Sequence, residues 1–181
     1  MVVFDTSILL LFLDPNAKPP VDPDTGEAVD RAHERIEFLI DQLSSAGEKI
    51  VIPTPALSEA LVFSGAAMTD YLSILNGQRC FRIAAFDQKA AIETALSIRD
   101  AYQRGGLRID SDDAEIRKSK VKYDQQIVAV AKAEGAHTIY ADDKHIFTLA
   151  ERAKIKAYRS RDLDLPPEDP QASWDFEDGE E

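Results

Sequence analysis

Five acidic residues stand where predicted secondary-structure elements begin or end, and carboxylates in such places can do chemistry. Asp5 follows a short apolar strand, Glu59 lies about one turn into a helix, and Asp124 is predicted to open a late helix. Asp142 and Asp143 follow a late strand. Carboxylates that share a pocket repel each other and raise one another's pKa, so a cluster is costly unless a cation occupies it. Oxygen ligands suit Mg²⁺ or Mn²⁺, whereas the few Cys and His residues form no recognisable zinc set.

A divalent ion held by carboxylates has a well-understood use in phosphoryl chemistry. It binds a phosphate oxygen, lowers the pKa of a bound water and stabilises the leaving oxygen of an in-line displacement. Each acid taken singly has a plainer interpretation: Asp5 and Asp124 as helix caps, Glu59 as a surface acid, and Asp142 with Asp143 as a turn with a cap. Their joint placement is what favours a site. The three histidines, at positions 33, 137 and 145, are scattered and are interpreted as structural or surface residues.

The elements that must position these acids alternate along the chain. Apolar segments predict strands at 1–4, 49–52, 80–84, 137–140 and 155–158. Helices are predicted between them, with Gly47 and Gly135 as two of the stops. This order predicts an α/β fold with a parallel sheet of four to five strands flanked by helices, an α/β/α sandwich. Because parallel strands end at one edge of the sheet, Asp5 and the 142–143 pair should share it, with Glu59 within reach.

Composition predicts one globular domain and excludes little about its partners. The 181 residues carry a net charge of −12, but nine acids and no Lys or Arg lie between positions 162 and 181, so the rest carries about −3. We therefore predict a domain at 1–160 and an acidic, flexible tail at 161–181. No apolar run is long enough to span a membrane, no leader peptide is recognisable, and Cys80 is the single cysteine. These features predict a cytoplasmic protein with no membrane partner.

Four segments, in order, resemble a known family. They are VVFDTSILL at 2–10, VIPTPALSEAL at 51–61, KYDQQIVAVAKAEGA at 122–136 and TIYADDKHIFTLA at 138–150. Together they are similar to a PIN domain, and within that group to the toxin nucleases of VapBC-type systems. The resemblance covers nearly the whole chain up to about Tyr158.

The resemblance implies a set of site residues. Its catalytic and metal-binding acids are Asp5, Glu59, Asp124 and Asp143, with Asp142 as an alternative metal ligand. The family's last acid commonly stands in a Thr-x-Asp pattern, and Ala141 replaces that Thr here. Thr6 and Ser7 match supporting hydroxyl positions, where a side chain could orient Asp5 or a metal-bound water.

The resemblance further implies Mg²⁺- or Mn²⁺-dependent hydrolysis of single-stranded RNA, an antitoxin partner and a homodimer. Lys118, Lys120 and Lys122 form a cationic run before Asp124 that would bind the RNA backbone. The long loop at 14–29, the extended segment at 104–122 and the acidic tail fit a solitary RNA-processing nuclease as well as a toxin. A catalytically inactive PIN-like binding protein is a less favoured alternative. A response-regulator receiver is disfavoured because no acid pair stands near the first strand.

Overall fold

The computed structural model describes residues 1–103 and 114–167, and it does not describe the side chains of residue 102 and residues 114–121. Within those residues five strands form one parallel sheet: β1 (Val2–Phe4), β2 (Ile50–Pro53), β3 (Phe81–Ala84), β4 (Thr138–Tyr140) and β5 (Lys156–Tyr158). Their order across the sheet is β3-β2-β1-β4-β5. The predicted parallel sheet is therefore confirmed.

Seven α-helices surround the sheet in the described part of the chain: α1 (Thr6–Leu13), α2 (Ala32–Ser45), α3 (Thr54–Ser64), α4 (Met68–Gly77), α5 (Gln88–Gln103), α6 (Ala114–Ala133) and α7 (Lys144–Ala153). Helices α1, α2 and α4 pack with one face of the sheet, and α5, α6 and α7 pack with the other. This is the predicted three-layer sandwich. No helix within the described ranges is long and apolar enough to cross a bilayer.

Both faces of the sheet carry an apolar core, and the central strands β1 and β2 are apolar and buried throughout. In β1, Val2 and Phe4 belong to the core on the α1 side, and Val3 belongs to the core on the α6 side. All three are at most 1% exposed. A central strand of a parallel sheet needs apolar residues on both faces, so continuous hydrophobicity replaces the alternation of a half-exposed strand.

The strand order changes direction between β1 and β4. From β1 the chain passes to β2 and β3 on one side, and later returns to β4 on the other side of β1. Ligands of open α/β sheets bind at such a switch point, in the crevice beyond the strands' carboxyl ends. Asp5 directly follows β1, while Asp142 and Asp143 follow β4. The fold therefore brings these acids to the crevice that the topology creates.

Helix α6 corrects one prediction. It begins at Ala114, so Asp124 lies in the interior of the helix and does not open it. The residues before Asp124 are polar and lack a clear apolar period, which is why the sequence did not predict a helix there. They are nevertheless rich in Ala, Glu, Lys and Arg, which have high helix propensity. The interpretation of Asp124 as a helix cap is wrong for the same reason.

The chain beyond β5 first packs against the domain. Ser160–Asp162 form a 3₁₀ turn, Leu163 is 9% exposed, and the Arg35 guanidinium donates to the Leu163 carbonyl. Arg161 pairs with Asp22 and with Asp24, in the loop that connects α1 to α2. Residues 168–181 of the predicted tail lie outside the described residues, and the division of the chain at position 160 stays a prediction.

Candidate active site

Asp5 is a buried acid at the carboxyl edge of the sheet. It is 5% exposed, and its backbone N–H continues the β1–β4 ladder by donating to the Tyr140 carbonyl at 3.0 Å. Asp5 occupies the N-cap position of α1, but its side chain makes no capping hydrogen bond. The carboxylate instead accepts a hydrogen bond from the Ser7 hydroxyl, with 3.0 Å between Ser7 Oγ and Asp5 Oδ2. The plain cap interpretation therefore does not account for this residue.

Burial raises the pKa of Asp5 from 3.8 to about 7. Hydrogen bonds from the Thr6 backbone N–H and the Ser7 hydroxyl oppose the rise, and the negative charge of Asp124 adds to it. Asp124 comes from α6 on the opposite layer, so two acids distant in sequence act on each other at this edge. A buried carboxylate facing a second acid is a place where a cation would be strongly favoured.

Asp124 has a histidine partner that the sequence analysis missed. The residue is 5% exposed, and its Oδ2 lies 2.9 Å from Nδ1 of His145. His145 is the second residue of α7, and its backbone N–H donates to Oδ1 of Asp143, the N-cap of that helix, at 2.7 Å. The sequence analysis interpreted His145 as a structural or surface residue and did not predict this contact. Its position directly behind the 142–143 acid pair was the signal that could have found it.

Glu59 is tied to α1 through a hydroxyl. This half-buried residue of α3 accepts a hydrogen bond from Thr6, with 2.7 Å between Thr6 Oγ1 and Glu59 Oε2. The two supporting hydroxyls predicted from the sequence thus contact different acids: Thr6 holds Glu59, and Ser7 holds Asp5. Because Thr6 and Ser7 begin the helix that directly follows Asp5, the first turn of α1 fixes two carboxylates at once.

Asp142 has a partner on its other side. Its Oδ1 accepts hydrogen bonds from the Ser160 backbone N–H at 3.0 Å and from the Ser160 hydroxyl at 2.8 Å. Its backbone N–H donates to Ser7 Oγ at 3.1 Å, which connects β4 to the Asp5 network. Oδ2 is buried and has no hydrogen-bond partner among the described residues. Burial raises the pKa of Asp142, while the Ser160 hydrogen bonds and the nearby Arg159 charge oppose the rise.

The structure brings the predicted acids to one edge without assembling a ready metal centre. No three His, Cys, Asp or Glu side chains of the described residues lie close enough together to hold an ion. The donor chemistry nevertheless fits Mg²⁺ or Mn²⁺, because the groups at this edge are carboxylate oxygens and the buried Asp5 would gain from a positive charge. Lys122 is exposed, two residues before Asp124. The side chains of Lys118 and Lys120 lie outside the described residues, although both positions belong to α6.

Comparison with known proteins confirms the fold. The sequence matches no protein-family model and no curated protein. The structure is similar to a chain in the crystal structure of VapBC2 from Rickettsia felis bound to a DNA fragment from their promoter, with a TM-score of 0.55, 16% identity, and coverage of 88% of this chain and 98% of that one. It is also similar to a chain of DNA-bound VapBC from Salmonella typhimurium, with a TM-score of 0.52, 18% identity, and coverage of 88% and 97%. The fold is therefore PIN-like, as the sequence resemblance implied.

Proposed function

We propose that the protein is a metal-dependent endoribonuclease that hydrolyses phosphodiester bonds of single-stranded RNA. The observation that carries the proposal is the buried Asp5 carboxylate at the sheet's switch point, with a second acid, Asp124, raising its pKa. The PIN-like fold and its similarity to chains of VapBC complexes support the same reaction. Mg²⁺ or Mn²⁺, when bound, would supply a water of lowered pKa and charge for the leaving oxygen.

Different side chains at this edge would bind the ion or orient the groups that bind it. Asp5 and Asp124 would hold the ion from the two layers of the sandwich, and Ser7 keeps Asp5 in place. Glu59 would complete the set, with its orientation fixed by the Thr6 hydroxyl. We prefer Asp143 to Asp142 as the fourth acid, because two hydrogen bonds from Ser160 already engage one Asp142 oxygen.

Single-stranded RNA is proposed as the substrate from the chemistry near the acids. Lys122 and Tyr123 are exposed, Tyr123 to 40%, and both immediately precede Asp124. Every single-stranded nucleic acid has phosphates, which a cationic side chain can bind. It also has exposed bases, on which an aromatic ring can stack. Lys118 and Lys120 extend this basic run along α6.

A protein partner is the second part of the proposal. Exposed apolar side chains stand at the end of α3 and the start of α4, with Val62 at 77%, Phe63 at 66% and Met68 at 45% exposure. A cluster of such side chains supports a protein–protein contact. Because the similar structures are VapBC complexes, we propose an antitoxin as the partner and a cytoplasmic toxin–antitoxin pair as the setting. A homodimer contact through this surface and a solitary RNA-processing nuclease are the alternatives.

The reaction is tested with purified protein and an end-labelled single-stranded RNA. We expect cleavage with Mg²⁺ or Mn²⁺, none with EDTA, and recovery when the metal is returned. Asp124→Asn should remove the activity, whereas Asp41→Asn, on the exposed face of α2, should not. Cleavage that persists in EDTA, or in Asp124→Asn at the parent's rate, would refute the proposed site.

A further inference from the structure

His145 joins two elements of the proposed site through one residue. Its ring Nδ1 lies 2.9 Å from Asp124 Oδ2, which links α7 to α6. Its backbone N–H donates to Asp143 Oδ1 at 2.7 Å, which holds the turn before α7. The imidazole is 37% exposed, whereas the Asp124 side chain is 8% exposed. The ring therefore contacts the buried acid from the solvent side.

The contact has a defined direction. A carboxylate can only accept hydrogen bonds, so Nδ1 carries the proton and donates it to Asp124. This donor fixes the rotation of a carboxylate whose neighbour, Asp5, is also acidic. The other two histidines are engaged elsewhere: His33 contacts the carbonyls of Leu11 and Ala17, and His137 contacts Thr138 and Glu48.

We infer that His145 is a positioning residue that orients Asp124 for binding a divalent cation. With Oδ2 held by the imidazole N–H, the carboxylate keeps its other oxygen for the ion. Groups that hydrogen-bond to metal ligands fix the ligand's orientation, and losing one typically weakens metal affinity about 10–100-fold. The inference rests on the proposed function, because it assigns His145 a role only if Asp124 binds a metal.

Two substitutions separate the donor from the rest of the ring. In His145→Asn the amide nitrogen stands near the position of Nδ1 and can still donate to Asp124. In His145→Gln the amide nitrogen stands nearer the position of Nε2 and is displaced from that contact. His145→Ala removes the donor altogether, and His137→Ala is the matched control because His137 is 60% exposed and contacts no acid of the site.

The measurement is Mn²⁺ affinity by isothermal titration calorimetry, with RNA cleavage recorded separately. We expect His145→Ala and His145→Gln to bind Mn²⁺ about 10–100-fold more weakly, and His145→Asn to stay within about threefold of the parent. His137→Ala should bind as the parent does. Thermal melts check that each variant is folded, and if His145→Ala is not, the comparison of Gln with Asn decides.

The outcomes distinguish this inference from the proposed function. If His145→Ala or His145→Gln binds Mn²⁺ as tightly as the parent or more tightly, the positioning role is overturned. The proposed function then still stands, provided that Asp124→Asn abolishes binding. If the parent itself binds no Mn²⁺, the metal-dependent function fails and the role of His145 fails with it.

Discussion

Asp5 and Asp142 lie at the same edge of one sheet, but their carboxylates have different hydrogen-bond partners and different neighbouring charges. Both follow a strand, and burial raises the pKa of both. Asp142 receives two hydrogen bonds from Ser160 and lies near the Arg159 charge, both of which favour its ionised form. Asp5 receives hydrogen bonds from the Ser7 hydroxyl and from the backbone N–H groups of Thr6 and Ser7, and the acid Asp124 acts on it. The stronger charge acting on Asp142 is the positive Arg159, whereas the charge acting on Asp5 is the negative Asp124.

From this difference we propose that Asp142 has a structural role and that Asp5 has a chemical one. Asp142 anchors the segment at 160–163, which Arg161 in turn connects to the loop at 14–29. The Asp5 carboxylate contacts only the start of its own helix among the described residues, and its burial raises its pKa. Residues held in costly surroundings are candidates for function, because packing alone does not explain them. We therefore propose a structural role for the Asp142 side of the crevice and a chemical role for the Asp5 side.

The largest expected effect is on catalysis. Asp5→Asn should lower the rate of RNA cleavage on the order of 1,000-fold, since a metal ion contributes several kcal/mol to transition-state stabilisation and each tenfold is about 1.4 kcal/mol. Asp142→Asn keeps the oxygen that Ser160 contacts and should stay within about fivefold of the parent. Single-turnover cleavage of a labelled RNA measures both. If both variants lost the same amount of cleavage activity, Asp5 and Asp142 could not be assigned different roles.

Asp5→Asn should also stabilise the metal-free protein, in a pH-dependent way. A pKa near 7 in the folded protein against 3.8 sets a ceiling of about 4 kcal/mol, and we expect about 1–3 after local relaxation. Between about pH 4 and 7 the unfolded chain loses this proton before the folded one does, so the parent's stability falls as pH rises through that range. Above the folded pKa the loss is complete.

Thermal melts in EDTA at pH 8 and pH 4.5 measure this effect. The gain of Asp5→Asn over the parent should be large at pH 8 and much smaller at pH 4.5. Asp41→Asn, at an exposed position of α2, is the control and should change little at either pH. A variant that is less stable than the parent at pH 8 would mean that Asp5 contributes to the fold rather than opposing it.

Ser160→Ala should produce the opposite pattern, a loss of stability with little change in cleavage. Ser160 is fully buried, and its hydroxyl donates to Asp142 at 2.8 Å. Removing a hydrogen bond to a charged group costs about 1.5–3 kcal/mol. Urea unfolding measures the difference, with Ser64→Ala as the control because that hydroxyl donates to the Leu61 carbonyl of its own helix and to no acid among the described residues. If Ser160→Ala lost as much cleavage activity as Asp5→Asn, Ser160 would have a role in catalysis rather than in stability alone.

Lys122→Ala should have the smallest effect, a few-fold weaker RNA binding that disappears as salt rises. The side chain is exposed. Losing one phosphate contact should lower the steepness of the plot of log affinity against log salt concentration by about one unit. Fluorescence anisotropy with a metal-free, uncleaved RNA at two salt concentrations measures it. Lys49→Ala, at the amino end of β2 and therefore at the opposite edge of the sheet, is the control. Identical binding by both variants would remove Lys122 from the proposed RNA surface.

The sequence predicted the layers and the edge because both follow from short-range chemistry. A run such as Val2–Phe4 is typical of a strand buried on both faces, and alternation of strands with helices favours the parallel order. Once the sheet is parallel, Asp5 and the 142–143 pair must emerge at the same edge. The positions of these acids were therefore predictable without knowing any side-chain contact.

The side-chain contacts between neighbouring helices were not predictable in the same way. The pairing of His145 with Asp124 depends on how α7 packs against α6, and no sequence period encodes that distance. The start of α6 was misplaced because its polar first half owes its helicity to propensity rather than to an apolar face. The division of labour between Asp142 and Asp143 was left open because it depends on Ser160, eighteen residues away in the chain.

The most direct test of the account is where a divalent ion binds. Crystals of the protein soaked in Mn²⁺ and measured at the manganese absorption edge would locate it by anomalous scattering. The account predicts one peak in the crevice beyond β1 and β4, about 2.0–2.3 Å from carboxylate oxygens of both Asp5 and Asp124. A fully soaked crystal with no peak there, or with its strongest peak bound to the Asp142–Ser160 side instead, would contradict it.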